Sequence, residues 1–172
     1  MAQHNCDICI IGGGSGGLSL AASAAQMGAK ILLFEAGAMG GDCLNSGCVP
    51  SKALLAAAKA AHHAKGAPHM GIMGTPPQID FAAVKAHVTA VIDGIAPHDS
   101  IERFAAFGVT VISEHAAFTG PREVASKHHK VRAKYVVIAS GSQPAMPPID
   151  GLSDIDFYTN ETIFADSARP DH

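Results

Sequence analysis

Cys43 and Cys48 are the residues whose types and spacing most strongly indicate chemistry in this chain of 172 residues. They lie in the segment Gly40–Lys52, which reads GGDCLNSGCVPSK, and four residues separate them. Zinc sites use cysteines at roughly this spacing, but they need a second pair of ligands, and no such pair lies nearby in the sequence. A close cysteine pair without signs of secretion is more often catalytic or metal-binding than structural. We therefore interpret this pair as catalytic.

A covalent bond between Cys43 and Cys48 would require an interruption of helical structure. A disulfide brings two Cα atoms to about 4.4–6.8 Å, whereas residues i and i+5 of a regular helix lie roughly 8–9 Å apart. Gly47 can permit the distortion, and a strained bond exchanges more readily than a relaxed one. A helix that begins near Cys48 would favour its thiolate form. Lys52, one helical turn later, would add positive potential, while Asp42 would oppose it at Cys43.

A second candidate site is the glycine-rich segment after the first apolar run, which reads GGGSGG. Gly12, Gly14 and Gly17 satisfy the pattern G-x-G-x-x-G of dinucleotide-binding units. The first glycine permits a tight turn, the second lets a pyrophosphate approach the backbone, and the third lets helix and strand pack closely. Glu35, 23 residues after Gly12, ends the next apolar run and can accept hydrogen bonds from a ribose. The motif predicts a dinucleotide site without separating FAD from NAD.

The other cysteines and the histidines are interpreted as structural. Cys6 and Cys9 could form a second redox pair, but we favour two small apolar residues in the first core strand, where residues three apart face opposite sides. The ten histidines are scattered. Adjacent pairs such as His62–His63 and His128–His129 would point in different directions on a helix, which makes them poor metal ligands. We therefore predict no metal site.

The apolar runs predict an α/β fold that positions these residues. The order strand, glycine turn, helix and strand forms a βαβ unit at the start of the chain. The expected fold is a Rossmann-like parallel sheet with flanking helices and a small antiparallel β-meander. The predicted elements are a strand over Cys6–Ile11, a helix over Leu18–Met27, a strand over Lys30–Phe34, a helix over about Cys48–Lys65, a connector over Gly66–Pro77, a long helix over Phe81–Phe107 that breaks or kinks near Gly94 or Pro97, a strand over Val109–Ile112, a meander over Glu114–Lys134 and a buried strand over Tyr135–Ala139.

The composition is that of a globular domain. Apolar residues make up 48% of the chain and charged residues 16%, which argues against disorder. The net charge of −3 gives no basic field for nucleic acid or for anionic lipid. No apolar run is long enough to span a bilayer, and the start lacks the pattern of a signal peptide. We therefore expect a cytoplasmic protein that contacts neither nucleic acid nor membrane.

Taken together, four segments resemble the pyridine nucleotide–disulfide oxidoreductase family, an FAD-dependent family that includes dihydrolipoamide dehydrogenase, mercuric reductase and glutathione reductase. The segments are GGGSGG, the acid Glu35, the cysteine segment Gly40–Lys52 and the sequence IASGS at Ile138–Ser142. The resemblance covers essentially the whole chain, and the cysteine segment is its most specific part. Leu44, Asn45 and Ser51 favour the dihydrolipoamide dehydrogenase-like or mercuric reductase-like members.

The resemblance implies that the dinucleotide is FAD and that Cys43 and Cys48 form a redox-active disulfide. Cys48 matches the cysteine nearest the flavin, which makes a thiolate–flavin charge-transfer contact, and Cys43 matches the cysteine that exchanges with substrate. Lys52 matches a lysine near the reactive edge of the flavin. Asp42 and Ser140 stand where many relatives have threonine. The FAD-binding residues that the resemblance implies are Gly12, Gly14, Ser15, Gly17, Glu35, Gly41, Asp42, Lys52, the His115–Ala116 backbone that touches adenine, Ser140 and Gly141.

The resemblance also implies that residues 1–172 form only the N-terminal part of an FAD-binding domain. Family members continue with an NAD(P)H domain and a dimerisation domain, which are absent here, so the chain alone is expected to be inactive. The full-length parent is expected to be a homodimer that passes electrons between NADH or NADPH, FAD, the cysteine pair and a small disulfide or dithiol substrate such as lipoamide. The alternatives are a non-catalytic flavin-binding or interaction module and, less compatible with the cysteine segment, a purely NAD-linked protein.

Overall fold

The computed structural model describes residues 1–166 and 168–169. They fall into two compact units. The first unit contains Met1–Asn45 and Ile95–Gln143, and the second contains Ser46–Gly94 and the described residues from Pro144 onward. The assignment of the whole chain to one part of an FAD-binding domain stays a prediction.

Eight strands and five α-helices make up the regular structure of the described residues. Short 3₁₀ turns lie at Pro68–Met70, Ala96–Asp99 and Leu152–Asp154. In chain order the elements are β1 (Ala2–Ile11), α1 (Ser15–Gln26), β2 (Ile31–Phe34), α2 (Gly41–Asn45), α3 (Cys48–Ala64), β3 (Gly66–Ala67), β4 (Ile72–Met73), α4 (Phe81–Ile95), α5 (Ile101–Ala106), β5 (Thr110–Ile112), β6 (Ala117–Gly120), β7 (Glu123–Ala125) and β8 (His129–Ile138).

A six-stranded sheet in the order β5-β2-β1-β8-β7-β6 forms the first unit. The strands β5, β2, β1 and β8 run parallel, whereas β7 and β6 are antiparallel. Strand β8 pairs with β1 along nearly its whole length and with β7 over Lys130–Arg132, so one strand serves both the parallel sheet and the meander. The predicted α/β class, with a Rossmann-like parallel sheet and a small antiparallel meander, is confirmed.

Strand β2, which lies between β5 and β1 in the sheet, is buried on both faces. All four residues of β2 are buried, and they alternate between two hydrophobic clusters. Ile31 and Leu33 join the cluster that contains Leu18 of α1 and Phe104 of α5. Leu32 and Phe34 join the cluster on the other face, which also holds core residues of the meander. This continuous apolar strand is what a parallel sheet covered on both faces requires.

Two details of the sheet differ from the predictions. The strand expected to be buried at Tyr135–Ala139 is the end of β8, where Tyr135 and Ile138 are 69% and 68% exposed. An apolar run alone does not reveal whether a second layer covers a strand. Cys6 and Cys9 contribute to the same buried cluster instead of facing opposite sides. The N–H groups of Asp7 and Ile8 both donate to the carbonyl of Lys30, an irregularity typical of a bulge, which interrupts the alternation of side chains.

The predicted long helix over residues 81–107 is interrupted as expected near Pro97. Helix α4 ends at Ile95, and a 3₁₀ turn with Pro97 in its first positions follows. Proline cannot donate the backbone hydrogen bond that a continuing helix needs. Helix α5 then begins after Ser100, whose Oγ accepts a hydrogen bond from the N–H of Arg103 at 3.2 Å. This cap restarts the helix that covers one face of the sheet.

Residues 66–77, expected to be a connector, contain the short antiparallel pair β3 and β4 around a 3₁₀ turn.

In the described part of the chain, no helix combines the length and apolarity needed to cross a membrane. The same residues contain no group of three or more histidine, cysteine, aspartate or glutamate side chains that could hold a metal ion.

Candidate functional site

The glycine turn between β1 and α1 is too crowded for side chains at two of its motif positions. Gly12 has φ +114°, and a Cβ added there would lie 2.1 Å from the carbonyl oxygen of Ala139. A Cβ on Gly17 would lie 1.9 Å from the carbonyl oxygen of Gly12. Backbone atoms cannot move aside as a flexible side chain can, so only glycine fits. The turn thereby brings the start of α1 close to the ends of β1 and β8.

The N-terminus of α1 is left open for an anion. Its cap residue, Gly14, makes no side-chain hydrogen bond to the helix, and the first turn carries no acidic residue. A Cβ added to Gly14 would have only the Cα of Gly41 close by, at 3.7 Å, so space remains in front of the helix. The first N–H groups of a helix have no partner within it, and the helix dipole favours negative charge there. This end of α1 therefore suits a phosphate group.

Glu35 links the glycine turn to the loop that follows β2. Its Oε2 accepts a hydrogen bond from the N–H of Gly13 at 2.5 Å, and its Oε1 accepts one from the N–H of Gly37 at 2.7 Å. An ionised carboxylate has about four acceptor sites. Glu35 can therefore hold these loops and still accept hydrogen bonds from ribose hydroxyl groups, as the sequence predicts.

A cavity of about 530 Å³ lies within the first unit, at the carboxyl ends of the four parallel strands. Ligands of open parallel sheets bind at this edge. The structure brings most of the predicted cofactor-binding residues to its wall: Gly12, Gly14, Glu35, Gly41, His115, Ala116, Ser140 and Gly141. Residues that sequence reasoning missed complete the lining: Ile11, Phe34, Ala36, Gly37, Glu114, Ala139 and Gln143.

Four predicted residues lie outside this lining. Ser15 is the first residue of α1, and Gly17 lies inside that helix against the glycine turn. Asp42 lies in the first turn of α2, and Lys52 belongs to α3 in the second unit. Some of the missed residues had a signal in the sequence, since the last residue of a predicted parallel strand faces the ligand edge. Gln143 had none, because it follows the last strand in an irregular segment.

The cysteine segment is a helical path interrupted between its two cysteines. Cys43 lies in α2, and Cys48 is the first residue of α3. Gly47 lies between the two helices with φ −127° and ψ −110°, values outside the helical region. The interruption and its placement at Gly47 are confirmed. Cys43 is half-buried and Cys48 is exposed.

Neighbouring side chains hold both ends of this segment. The side-chain amide of Asn45 donates hydrogen bonds to the carbonyl oxygens of Met39, at 3.1 Å, and Gly41, at 2.8 Å. In the second unit, the Oγ of Ser51 donates to the carbonyl oxygen of Cys48 at 3.2 Å. Lys52 follows one helical turn after Cys48 with an exposed side chain. Cys48 thus lies at the positive end of α3, and Lys52 follows four residues later in the same helix.

Cys6 and Cys9 occupy the opposite chemical environment. Cys6 is 8% exposed and Cys9 is fully buried. Burial raises the pKa of the Cys9 thiol to about 12, with a smaller contribution from Cys6, and burial also raises the pKa of Cys6. A thiol that cannot ionise is a poor nucleophile. The interpretation of these residues as core residues is confirmed.

The parallel sheet and the glycine turn define a class of dinucleotide-binding α/β proteins, to which the cysteine segment adds a close cysteine pair. A family model described as pyridine nucleotide-disulphide oxidoreductase matches residues 6–170. The chain therefore belongs to the pyridine nucleotide-disulphide oxidoreductase family. Members of this family bind FAD and use NAD(P)H, which confirms the predicted cofactors.

The relatives that this chain matches are longer than the chain. The mercuric reductase of Streptomyces lividans is 37% identical over 177 residues, covering 99% of this chain and 37% of the relative. The dihydrolipoyl dehydrogenase of Thermus scotoductus is 37% identical over 153 residues, covering 85% of this chain and 31% of the relative. The chain thus spans about a third of the length of these relatives.

A solved structure supports the fold. The Cu(II) complex of the HOCl-induced flavoprotein disulfide reductase RclA from Escherichia coli superposes with a TM-score of 0.74 at 23% identity. The match covers 92% of this chain and 33% of that chain. The cavity in the first unit also fits the adenosine diphosphate part of FAD, since it joins an uncapped helix N-terminus to the carboxylate of Glu35.

Proposed function

We propose that this chain is the FAD-binding and redox-cysteine part of a disulfide oxidoreductase. The open N-terminus of α1, facing a cavity that also contains Glu35, is the observation that carries the proposal. In the proposed complex the α1 N–H groups bind the diphosphate, Glu35 binds the ribose, and the His115–Ala116 backbone lies against the adenine. The exposed thiol of Cys48 and the half-buried thiol of Cys43 form the dithiol that exchanges electrons.

Bound FAD would carry electron pairs between a nicotinamide and the cysteine pair, a transfer that side chains alone do not perform. The cysteine pair accepts two electrons and two protons when its disulfide opens, and it gives them back when the bond reforms. Cys43 is proposed to exchange with the substrate disulfide, while Cys48 is proposed to exchange electrons with the flavin. The proposed substrate is a small disulfide or dithiol such as lipoamide. We further propose a cytoplasmic, homodimeric parent that draws electrons from NADH or NADPH.

A test of the cofactor assignment compares FAD with FMN, which has the same flavin but lacks the adenosine part. Titration of the purified chain with each flavin, followed by fluorescence, should give FAD the higher affinity by at least about tenfold, and ADP should compete with FAD. The proposal attributes this difference to the cavity at the strand ends. Equal affinity for FAD and FMN would contradict it, because the adenosine part would then contribute nothing.

The names of the relatives favour Hg(II) as a second candidate acceptor, since several of them are mercuric reductases. Both candidates take two electrons from the dithiol, and only the disulfide also takes two protons. The FAD-loaded chain, reduced anaerobically, can be mixed with oxidised lipoamide or with Hg(II). Reoxidation by lipoamide with release of dihydrolipoamide supports the disulfide substrate, whereas reoxidation by Hg(II) alone favours the second candidate. This reoxidation is a single half-reaction that needs no NAD(P)H, so a chain that binds FAD but reacts with neither acceptor would be the non-catalytic module.

A further inference from the structure

Glu114 is a half-buried carboxylate in the cavity wall whose hydrogen bonds lead away from the cavity. It follows β5 and precedes His115 and Ala116. Its Oε1 lies 2.6 Å from Nδ1 of His128, and its Oε2 accepts a hydrogen bond from the N–H of His128 at 3.1 Å. The hydroxyl of Ser126 provides a further hydrogen bond. A single carboxylate therefore joins the segment Glu114–Ala116 to the turn between β7 and β8.

The turn that Glu114 contacts is itself well ordered. Ser126 and His129 are joined by a backbone hydrogen bond, from the Ser126 N–H to the His129 carbonyl, at 2.9 Å. The carbonyl of His128 accepts from the N–H of Ala2 at 2.8 Å, which ties the turn to the start of β1. Ser126 is 8% exposed. The carboxylate of Glu114 is thus held by a rigid support.

The number of hydrogen bonds to one carboxylate separates this contact from an ordinary surface ion pair. Exposed ion pairs contribute little, because solvent screens them and both side chains lose conformational freedom. The side chain of Glu114 is only 21% exposed, although that of His128 is 63% exposed. Hydrogen bonds from Ser126 and then His128 lower the pKa of Glu114 to about 2. The carboxylate therefore stays ionised at neutral pH and keeps accepting these hydrogen bonds.

We propose that Glu114 is a positioning residue for the adenosine end of the cavity, acting through His128 and Ser126. By fixing the segment after β5 against the β7–β8 turn, it sets the backbone of His115 and Ala116 at the distance that an adenine ring needs. A displacement of this segment weakens contacts with the adenine and leaves the diphosphate site at α1 in place. This inference rests on the proposed FAD function.

The test compares two ligands that share a diphosphate but differ in the adenosine part. ADP and inorganic pyrophosphate each compete with FAD for the chain, and their inhibition constants are measured for wild type and for Glu114→Gln. The substituted amide side chain has nearly the same size as the carboxylate but cannot accept two hydrogen bonds on separate oxygens. We expect ADP to bind about tenfold more weakly to the variant, the effect of losing roughly one charged hydrogen bond, and pyrophosphate to bind as it does to wild type.

Glu123→Gln is the matched control. The carboxylate of Glu123 pairs with Lys130 at 2.9 Å on the same meander, with a 35% exposed side chain, and it lies outside the lining of the cavity. This variant should leave both inhibition constants unchanged. His128→Ala should weaken ADP binding in the same direction as Glu114→Gln, and His128→Gln, which restores a donor, should recover part of the loss.

The outcomes separate the positioning role from simpler explanations. Unchanged ADP binding in Glu114→Gln would overturn the proposal. Equal weakening of ADP and pyrophosphate would also overturn it, because that result indicates general damage to the unit. If wild type binds FAD, and if Glu114→Gln and His128→Ala both bind ADP as wild type does, only the positioning role fails. If wild type binds neither FAD nor ADP, the proposed function itself fails.

Discussion

At the scale of single residues, exposure divides the four cysteines into two classes. Cys48 is exposed and Cys43 is half-buried, whereas Cys6 and Cys9 lie in the core. Burial raises the pKa of both core thiols, so little thiolate forms on them at neutral pH. We expect iodoacetamide to modify Cys48 and then Cys43 in the folded chain. Mass spectrometry of peptides should show Cys6 and Cys9 modified only after denaturation, and their early modification would contradict the described core.

The carboxylate of Glu114 predicts a pH dependence of stability. Its pKa falls from 4.5 to about 2 in the folded chain, through hydrogen bonds from Ser126 and His128. A carboxyl with a lowered folded pKa stabilises the fold above its unfolded pKa, and this contribution is lost as the pH falls through the folded value. Urea unfolding should therefore show Glu114→Gln less stable than wild type near neutral pH. The difference should shrink below about pH 4.5, and a constant difference down to about pH 3 would count against this account.

At the scale of elements, the close contact between β1 and α1 depends on Gly17. A Cβ there would overlap the carbonyl oxygen of Gly12, which belongs to the backbone and cannot move aside. Gly17→Ala should lower the free energy of unfolding by about 3 kcal/mol, near the upper end for overpacked cores, and should weaken FAD binding. Denaturant unfolding and FAD titration measure both effects.

Gly16 offers a matched control on the same helix. A Cβ added at Gly16 meets no atom within 4 Å. Gly16→Ala should therefore leave stability unchanged or raise it by up to about 1 kcal/mol, because alanine favours helices over glycine. If both alanine variants lose stability equally, the effect belongs to the helix and not to its contact with the glycine turn.

The βαβ opening and the cysteine segment could be predicted from sequence because their signals are local. Glycine spacing, an acid after the next strand and the separation of two cysteines all lie within short stretches of chain. The interruption at Gly47 followed from the same local geometry. The contact of Glu114 with His128 could not be predicted, since it depends on how the β7–β8 turn folds back. The exposure of Tyr135 depends on which layers cover β8, and an apolar run does not encode that.

At the scale of the whole molecule, the residues proposed to bind FAD and to carry the redox chemistry are distributed over the two units. The first unit contains the dinucleotide cavity and Cys43, and the second contains Cys48 and Lys52. The interruption at Gly47 lies close to the point where the chain passes from one unit to the other. A test of the proposed function should therefore use a chain that contains both Cys43 and Cys48.

The central claim is that the FAD site and the cysteine pair form one redox system. An anaerobic dithionite titration of the FAD-loaded, oxidised chain tests it by counting electrons. A disulfide takes up two electrons and FAD takes up two, so wild type should consume about four electrons per FAD, and Cys6→Ser should consume the same. Cys48→Ser should consume about two. An uptake of about two electrons per FAD in both wild type and Cys48→Ser would contradict the account.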